Sequence, residues 1–164
     1  MGVHTGMTTS MLLQRCPKLK LYAVDNWWAV PAKPSDPEEL KNWKDVGLAG
    51  RDPKRDRRRF EQRTAPYKDR LTVLYGDSVT MAEKVEDGSL DFVFIDADHQ
   101  YDSVMADIKA WVPKVKEDGV ICGHDYNHPR FPDVARAVFD CFGDQHEEVR
   151  FDHIWRANKE DFLL

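Results

Sequence analysis

The chain has 164 residues, of which 41% are hydrophobic and 32% charged, and its formal net charge is −5. This composition suits one globular domain and excludes a disordered chain. The acidic balance argues against a nucleic-acid partner, which calls for a basic excess, and no apolar run reaches the roughly 20 residues that span a bilayer. The first residues lack a signal-peptide pattern, and Cys16, Cys122 and Cys141 form no CxxC pair. We therefore expect a cytoplasmic protein without nucleic-acid or membrane partners.

Short apolar runs followed by polar side chains predict buried strands. The runs cover residues 19–24, 71–75, 90–95 and 119–122. Because they are apolar on both faces, they are typical of parallel strands covered on both sides. Two further strands are predicted in the tail, at 149–151 and 153–156.

Helical patterns lie between these runs. Helices are predicted over residues 8–15, with Thr8, Thr9 or Ser10 as the N-cap, over 101–115, where Pro113 bends or ends the helix, and over 132–142. Because strands and helices alternate, the sequence predicts a single α/β domain over residues 1–164 with a mostly parallel sheet.

The segment at about 30–65 interrupts this alternation. It carries four prolines, with a fifth, Pro66, directly after it, a helix-like piece at 37–46 and a basic run at 51–59. One interpretation is an insertion whose charged helix faces water. The other is a lid over a pocket, in which Trp27, Trp28 and Trp43 form walls and the arginines hold an anionic substrate.

Ligands of open parallel sheets bind beyond the carboxyl ends of the strands, and most of the polar candidates follow predicted strands. They are Asp25, Asp77, Asp96, Asp98, His99, His124 and Asp125. Near the start of the chain, Gly2 and Gly6 flank a short loop that contains His4 and precedes a helix. Such a loop can bring backbone N–H groups to a ligand, and Asp25, 19 residues after Gly6, suits ribose hydroxyls. Together they favour a nucleoside-containing cofactor, with a plain turn as the alternative for the loop.

Two further motifs leave alternatives open. Asp77 with Ser78 suits either an adenine edge or the N-cap of a following helix. The cluster of Asp96, Asp98 and His99, with His124 and Asp125 on the next strand end, has the oxygen and imidazole ligands of Mg²⁺, Mn²⁺ or another divalent metal. The alternative is that Asp96 contacts the cofactor while Asp98 and His99 cap a helix.

These motifs resemble the class I S-adenosylmethionine-dependent methyltransferases, nearest to the small-molecule O-methyltransferases that include the catechol and macrocin enzymes. The resemblance is carried by residues 92–101 (FVFIDADHQY), 107–113 and 118–126 (DGVICGHDY), with the glycine loop at 2–10. It implies a Rossmann-like fold and S-adenosylmethionine as cofactor. It also implies cofactor contacts from Gly2, His4, Gly6, Asp25, Asn26, Asp77, Ser78 and Asp96.

Two departures from the family pattern matter. The family's glycine loop follows a complete first strand, whereas only Met1 precedes Gly2, so we expect that strand to be missing. An incomplete sheet leaves edges that invite a second copy, so a homo-oligomer is an open alternative. The metal ligands Asp96 and Asp125 carry over from relatives, and His124 is added here as a third.

The resemblance implies methyl transfer to a small-molecule acceptor, most simply a hydroxyl. A metal held by Asp96 and Asp125 would lower the pKa of that hydroxyl, or His99 or His124 would act as general base. Three alternatives remain: a nucleotide-sugar glycosyltransferase that uses Asp96-Ala97-Asp98, a nicotinamide-dependent oxidoreductase, whose tighter glycine motif is missing, and a catalytically silent binding domain.

Overall fold

The computed structural model describes residues 1–27, 52–149 and 153–164. These residues form two compact units. Val3–Tyr75 makes up the N-terminal unit, and Met1–Gly2 together with Gly76–Leu164 makes up the C-terminal unit. The predicted piece at 37–46, Trp28, Trp43 and most of the predicted lid lie outside the described residues. The single domain over 1–164 stays a prediction.

The N-terminal unit is built on a parallel pair of strands. Its elements are α1 (Met7–Arg15), β1 (Leu21–Asp25), α2 (Pro53–Thr64), a 3₁₀ helix (Ala65–Arg70) and β2 (Leu71–Tyr75). The register pairs Leu21 with Leu71 and Asp25 with Tyr75. Asp25 and Tyr75 therefore leave the strands at the same carboxyl edge. Residues 1–6, which precede α1, form no strand.

The start of α1 differs from the prediction. Gly6 is the N-cap, with a φ of 74°, and no side chain caps the helix. Thr8, Thr9 and Ser10 lie inside the helix, so their prediction as N-caps was wrong. Only glycine fits at position 6, because a Cβ in this left-handed conformation would lie 2.7 Å from the Phe60 ring.

The basic run is the exposed part of an amphipathic helix. Asp56, Phe60 and Thr64 recur every four residues of α2 and are buried. This spacing places them on one helical face. Phe60 packs against Ala23 and Trp27 in the core of the unit. The part of the 30–65 segment described here is thus anchored by its apolar face while its arginines remain outside.

The C-terminal unit holds a four-stranded sheet with the order β3-β4-β6-β5. Its elements are α3 (Ser78–Ala82), β3 (Leu90–Ile95), α4 (Tyr101–Trp111), β4 (Val115–Gly123), α5 (Pro132–Phe142), β5 (Glu147–Val149) and β6 (Ile154–Asn158). β3 and β4 are parallel, and β6 runs antiparallel to both of its neighbours. Three of the four strands therefore point in one direction, and the predicted α/β class is confirmed.

Several helix and strand boundaries in this unit differ from the predicted ones. α4 ends before Pro113, as predicted, and a 3₁₀ helix follows it. β4 starts at Val115, earlier than predicted, because Val115 pairs with Leu90 ahead of a register shift. Of the two predicted tail strands, the second overlaps β6 (Ile154–Asn158), and the first overlaps β5 (Glu147–Val149) at Val149, while its residues 150–151 lie outside the described part of the chain. Among the described helices, none combines the length and apolarity that a membrane crossing requires.

Candidate active site

The parallel strands β3 and β4 bring three predicted metal ligands together. Ile95 pairs with Gly123 at the ends of the two strands. Asp96, His124 and Asp125 follow directly, and each offers a ligand atom within 4.8 Å of the others. A Cβ at position 123 would lie 2.6 Å from the indole nitrogen of Trp155, so only glycine leaves room for the Trp155 ring here.

Asp125 lies between two imidazoles. Its Oδ2 is 2.7 Å from Nε2 of His99, and its Oδ1 is 3.3 Å from Nδ1 of His124. Asp125 is buried, and its backbone has the left-handed conformation, with a φ of 63°. Because an ionised carboxylate only accepts, the Nε2–H of His99 donates to Asp125, and a neutral His99 ring would have its basic nitrogen at Nδ1. The pair has the composition of a general base and its orienting acid.

Aromatic residues of the loop after β4 hold the His99 ring. Phe131 stacks on His99 with ring centroids 3.9 Å apart and an interplanar angle of 15°. His128 stacks on the same phenyl ring at 5.0 Å. The sequence did not reveal Phe131, because it lies far from His99 along the chain, and nothing in the spacing predicts that the two rings meet.

Asp98 is not part of the cluster. Its Oδ1 accepts from the backbone N–H of His99 at 2.7 Å, and its Oδ2 accepts from the hydroxyl of Ser103 at 2.9 Å. Asp98 therefore bonds to the turn before α4 and to Ser103, but the N-cap of α4 is Gln100 and no side chain caps the helix, so the predicted capping by Asp98 and His99 was wrong. The glycosyltransferase alternative needs Asp96 and Asp98 to act together, and Asp98 is engaged with the helix.

The electrostatics around Asp96 favour a bound cation. Burial raises the pKa of Asp96, the charges of His124 and His99 lower it, and the charge of Asp125 raises it, with a net increase. Two neighbouring carboxyl groups in a poorly solvated place ionise together only when a positive charge compensates them. Two carboxylates and an imidazole provide donors that a divalent metal accepts.

Gly2 is required by its contact with β3. A Cβ at Gly2, whose φ is 70°, would lie 1.8 Å from the carbonyl oxygen of Asp96. The backbone of Gly2 thus lies closer to the end of β3 than a residue with a side chain could. This close approach explains the glycine, and its contact with a cofactor remains a prediction.

Asp77 and Ser78 start α3. Oδ1 of Asp77 accepts from the backbone N–H of Thr80 at 2.9 Å, and this bond lowers the pKa of Asp77. The helix-cap alternative therefore describes Asp77 in this structure. The hydroxyl of Ser78 accepts from the indole N–H of Trp111 at 2.8 Å. Nearby, burial raises the pKa of Asp107 to about 6, although a hydrogen bond with Ser78 lowers it in part.

Replacing Asp107 with asparagine is expected to stabilise the protein at pH 7 by about 1–2 kcal/mol. Because the raised pKa lets the folded state bind more protons than the unfolded state, the wild-type free energy of unfolding falls between about pH 4 and 6. The destabilisation caused by ionising the buried Asp107 is absent below this pH range and complete above it. Urea unfolding at pH 5 and pH 7 measures it, with Asp102→Asn, an exposed acid on α4, as the control. An unchanged pH dependence in Asp107→Asn would contradict the prediction.

In the N-terminal unit, Asp25 is fixed by two backbone donors. Its Oδ2 accepts from the N–H of His4 at 2.8 Å, and its Oδ1 accepts from the N–H of Trp27 at 2.7 Å. The indole N–H of Trp27 donates to the carbonyl of His4 at 2.9 Å, and Nε2 of His4 lies 3.2 Å from Oδ2 of Asp56. Asn26 is half-buried between these residues. Asp56 was overlooked in the sequence, because it lies in the middle of a basic run.

Trp27, one of the pocket walls in the lid interpretation, belongs to the core of the N-terminal unit. It is 8% exposed and packs against Phe60. The Tyr75 ring stacks on the Trp27 ring, with centroids 5.9 Å apart. The guanidinium of Arg57 lies 4.9 Å from the centre of the Tyr75 ring.

A family model described as a methyltransferase domain matches residues 1–126. The chain belongs to this methyltransferase family. The resemblance in the sequence is thereby confirmed, as is the prediction of an S-adenosylmethionine-dependent methyltransferase as the enzyme class. No curated protein matches the sequence significantly.

Solved structures share the fold of this methyltransferase at low sequence identity. The O-methyltransferase NovP is 16% identical over 92% of this chain and 64% of its own, with a TM-score of 0.55. An S-adenosylmethionine-dependent O-methyltransferase from Thermotoga maritima is 12% identical over 96% of this chain and 57% of its own, with a TM-score of 0.57. CalS11, a TDP-rhamnose 3′-O-methyltransferase, is 18% identical over 96% and 69%, with a TM-score of 0.56. The predicted Rossmann-like fold is confirmed. The chain spans less than two thirds of the first two of these proteins.

Proposed function

We propose that this methyltransferase transfers the methyl group of S-adenosylmethionine to a hydroxyl of a small-molecule acceptor with the help of a divalent metal. The observation that carries the proposal is the cluster of Asp96, His124 and Asp125 at the ends of β3 and β4. Its donors suit Mg²⁺ or Mn²⁺, and the raised pKa of Asp96 leaves a site that a cation would stabilise.

Asp96, His124 and Asp125 would hold the metal, and a bound divalent cation lowers the pKa of a coordinated hydroxyl. His99 is held by Asp125 on one side and by Phe131 on its ring face. With its proton on Nε2, His99 offers Nδ1 to accept the proton of the acceptor. His124 is the alternative base when it does not bind the metal.

The remaining residues would hold and align the cofactor. The sulfonium is a good leaving group, so the protein mainly supplies alignment of donor and acceptor. The proposed contacts come from Gly2, His4, Gly6, Asp25, Asn26, Asp77, Ser78 and Asp96. The two backbone donors to Asp25 support its role, since they hold its carboxylate in one orientation for ribose hydroxyls.

A thermal-shift titration tests this function. The chain is titrated with S-adenosylmethionine, NAD and a nucleotide sugar, each with and without Mn²⁺. Ligand at 100 times its Kd stabilises by about 2.7 kcal/mol, so a clear rise in Tm with S-adenosylmethionine is expected. Mn²⁺ binding, followed by electron paramagnetic resonance, should be lost in Asp96→Asn. A rise only with nucleotide sugar and metal would overturn the proposal.

A further inference from the structure

Asp56 is a buried acid inside the most basic stretch of the chain. The residues around it are arginines and a lysine, and α2 exposes most of them. The side chain of Asp56 is only 4% exposed. A carboxylate is almost never buried this far without partners, because leaving water is costly for a charge. The insertion interpretation, in which the charged helix faces water, does not account for this buried carboxylate.

The partners of Asp56 lie on two segments of the N-terminal unit. Oδ2 of Asp56 lies 3.2 Å from Nε2 of His4 and accepts from the backbone N–H of Asp52 at 3.3 Å. Oδ1 accepts from Nε of Arg55 at 3.3 Å. Burial raises the pKa of Asp56. The hydrogen bond and charge of His4 and the hydrogen bond from Arg55 lower it by more, so the net shift of the pKa is downward. Asp56 is therefore an ionised anchor for the His4 imidazole.

His4 stands in a conformation that needs such an anchor. Its φ is 47°, in the left-handed region that non-glycine residues adopt at a cost. Its backbone N–H donates to Asp25, and its carbonyl accepts from the indole of Trp27. His4 is thus held at three points: the N–H, the carbonyl and the ring.

We propose that Asp56 is a positioning residue for cofactor binding, which acts through His4 to hold the carboxylate of Asp25. Without Asp56, the His4 ring loses its buried partner, and the left-handed turn is free to relax. Asp25 then loses one of the two backbone donors that orient it. The inference rests on the proposed cofactor role of Asp25, and it makes α2 part of the cofactor site through its buried face and not through its exposed arginines.

The test is the affinity of the full chain for S-adenosylmethionine, measured by isothermal titration calorimetry. Asp56→Asn keeps the shape of the side chain and removes its charge, and we expect Kd to rise about tenfold. KM for S-adenosylmethionine should rise in parallel, while kcat at saturating cofactor stays close to wild type. The matched control is Asp69→Asn, an exposed acid of the 3₁₀ helix in the same unit, which should bind as wild type does.

A second variant separates positioning from folding. His4→Asn removes the imidazole but keeps a residue that tolerates the left-handed region, and the His4 side chain is 49% exposed, so the fold should persist. If Asp56 acts through His4, the double variant binds no more weakly than the weaker single variant. Additive losses in the double variant would overturn the proposal, as would wild-type affinity in either single variant. If the wild-type protein itself does not bind S-adenosylmethionine, the proposed function fails, not the contact between Asp56 and His4.

Discussion

Replacing Asp125 with asparagine is expected to lower kcat for methyl transfer by about 10³-fold or more, while the affinity for S-adenosylmethionine changes little. Asp125 contacts the imidazoles of both His99 and His124, at 2.7 Å and 3.3 Å. The substitution replaces a charged oxygen ligand of the proposed metal, and the charged acceptor that fixes the His99 proton, with a neutral amide. Asparagine tolerates the left-handed backbone at this position, so the variant tests the charge and not the loop.

The measurement follows radiolabelled methyl from S-adenosylmethionine to the best acceptor of a panel of catechols and sugars. Mn²⁺ affinity is measured beside it and should fall by at least 10–100-fold, as for other losses around a metal site. Asp118→Asn, at an exposed acid of the strand that precedes Asp125, is the control for loss of a negative charge. Wild-type turnover in Asp125→Asn would remove Asp125 from the catalytic machinery.

Replacing Asp25 with alanine is expected to weaken S-adenosylmethionine binding by about 100-fold. The proposed charge-assisted hydrogen bonds to two ribose hydroxyls would be lost, and so would the acceptor for the backbone N–H groups of His4 and Trp27. Saturating cofactor should restore most of the turnover, because Asp25 does not touch the reacting atoms in the proposed mechanism.

Calorimetry measures this Kd, with Asp69→Ala as the control for an acid of the same unit. The two substitutions have opposite expected signatures: Asp25→Ala changes cofactor affinity, and Asp125→Asn changes turnover. If both substitutions changed affinity and turnover alike, the division of roles between Asp25 and Asp125 would be wrong.

The position of a residue relative to the predicted strands correctly indicated which side chains meet at the edge of the parallel sheet. Asp96, His124 and Asp125 were predicted together because they follow strands that end at one edge, and β3 and β4 place them there. Local spacing was a poorer guide to caps. Threonine and serine favour N-caps in general, but Gly6 takes that position in α1 because Phe60, distant in sequence, leaves no room for a side chain.

By itself, the sequence determined the α/β class, the methyltransferase resemblance and the acids at the strand ends, because these depend on short-range periodicity and on residues that lie next to strands. Tertiary packing was needed to show that Asp98 bonds to the His99 backbone while Asp96 joins the cluster, that Phe131 stacks on His99, and that Asp56 is buried against His4. Each of these outcomes depends on which side chains packing brings together. A charge pattern such as the basic run predicts exposure on average, but it does not show which one of its residues faces the core.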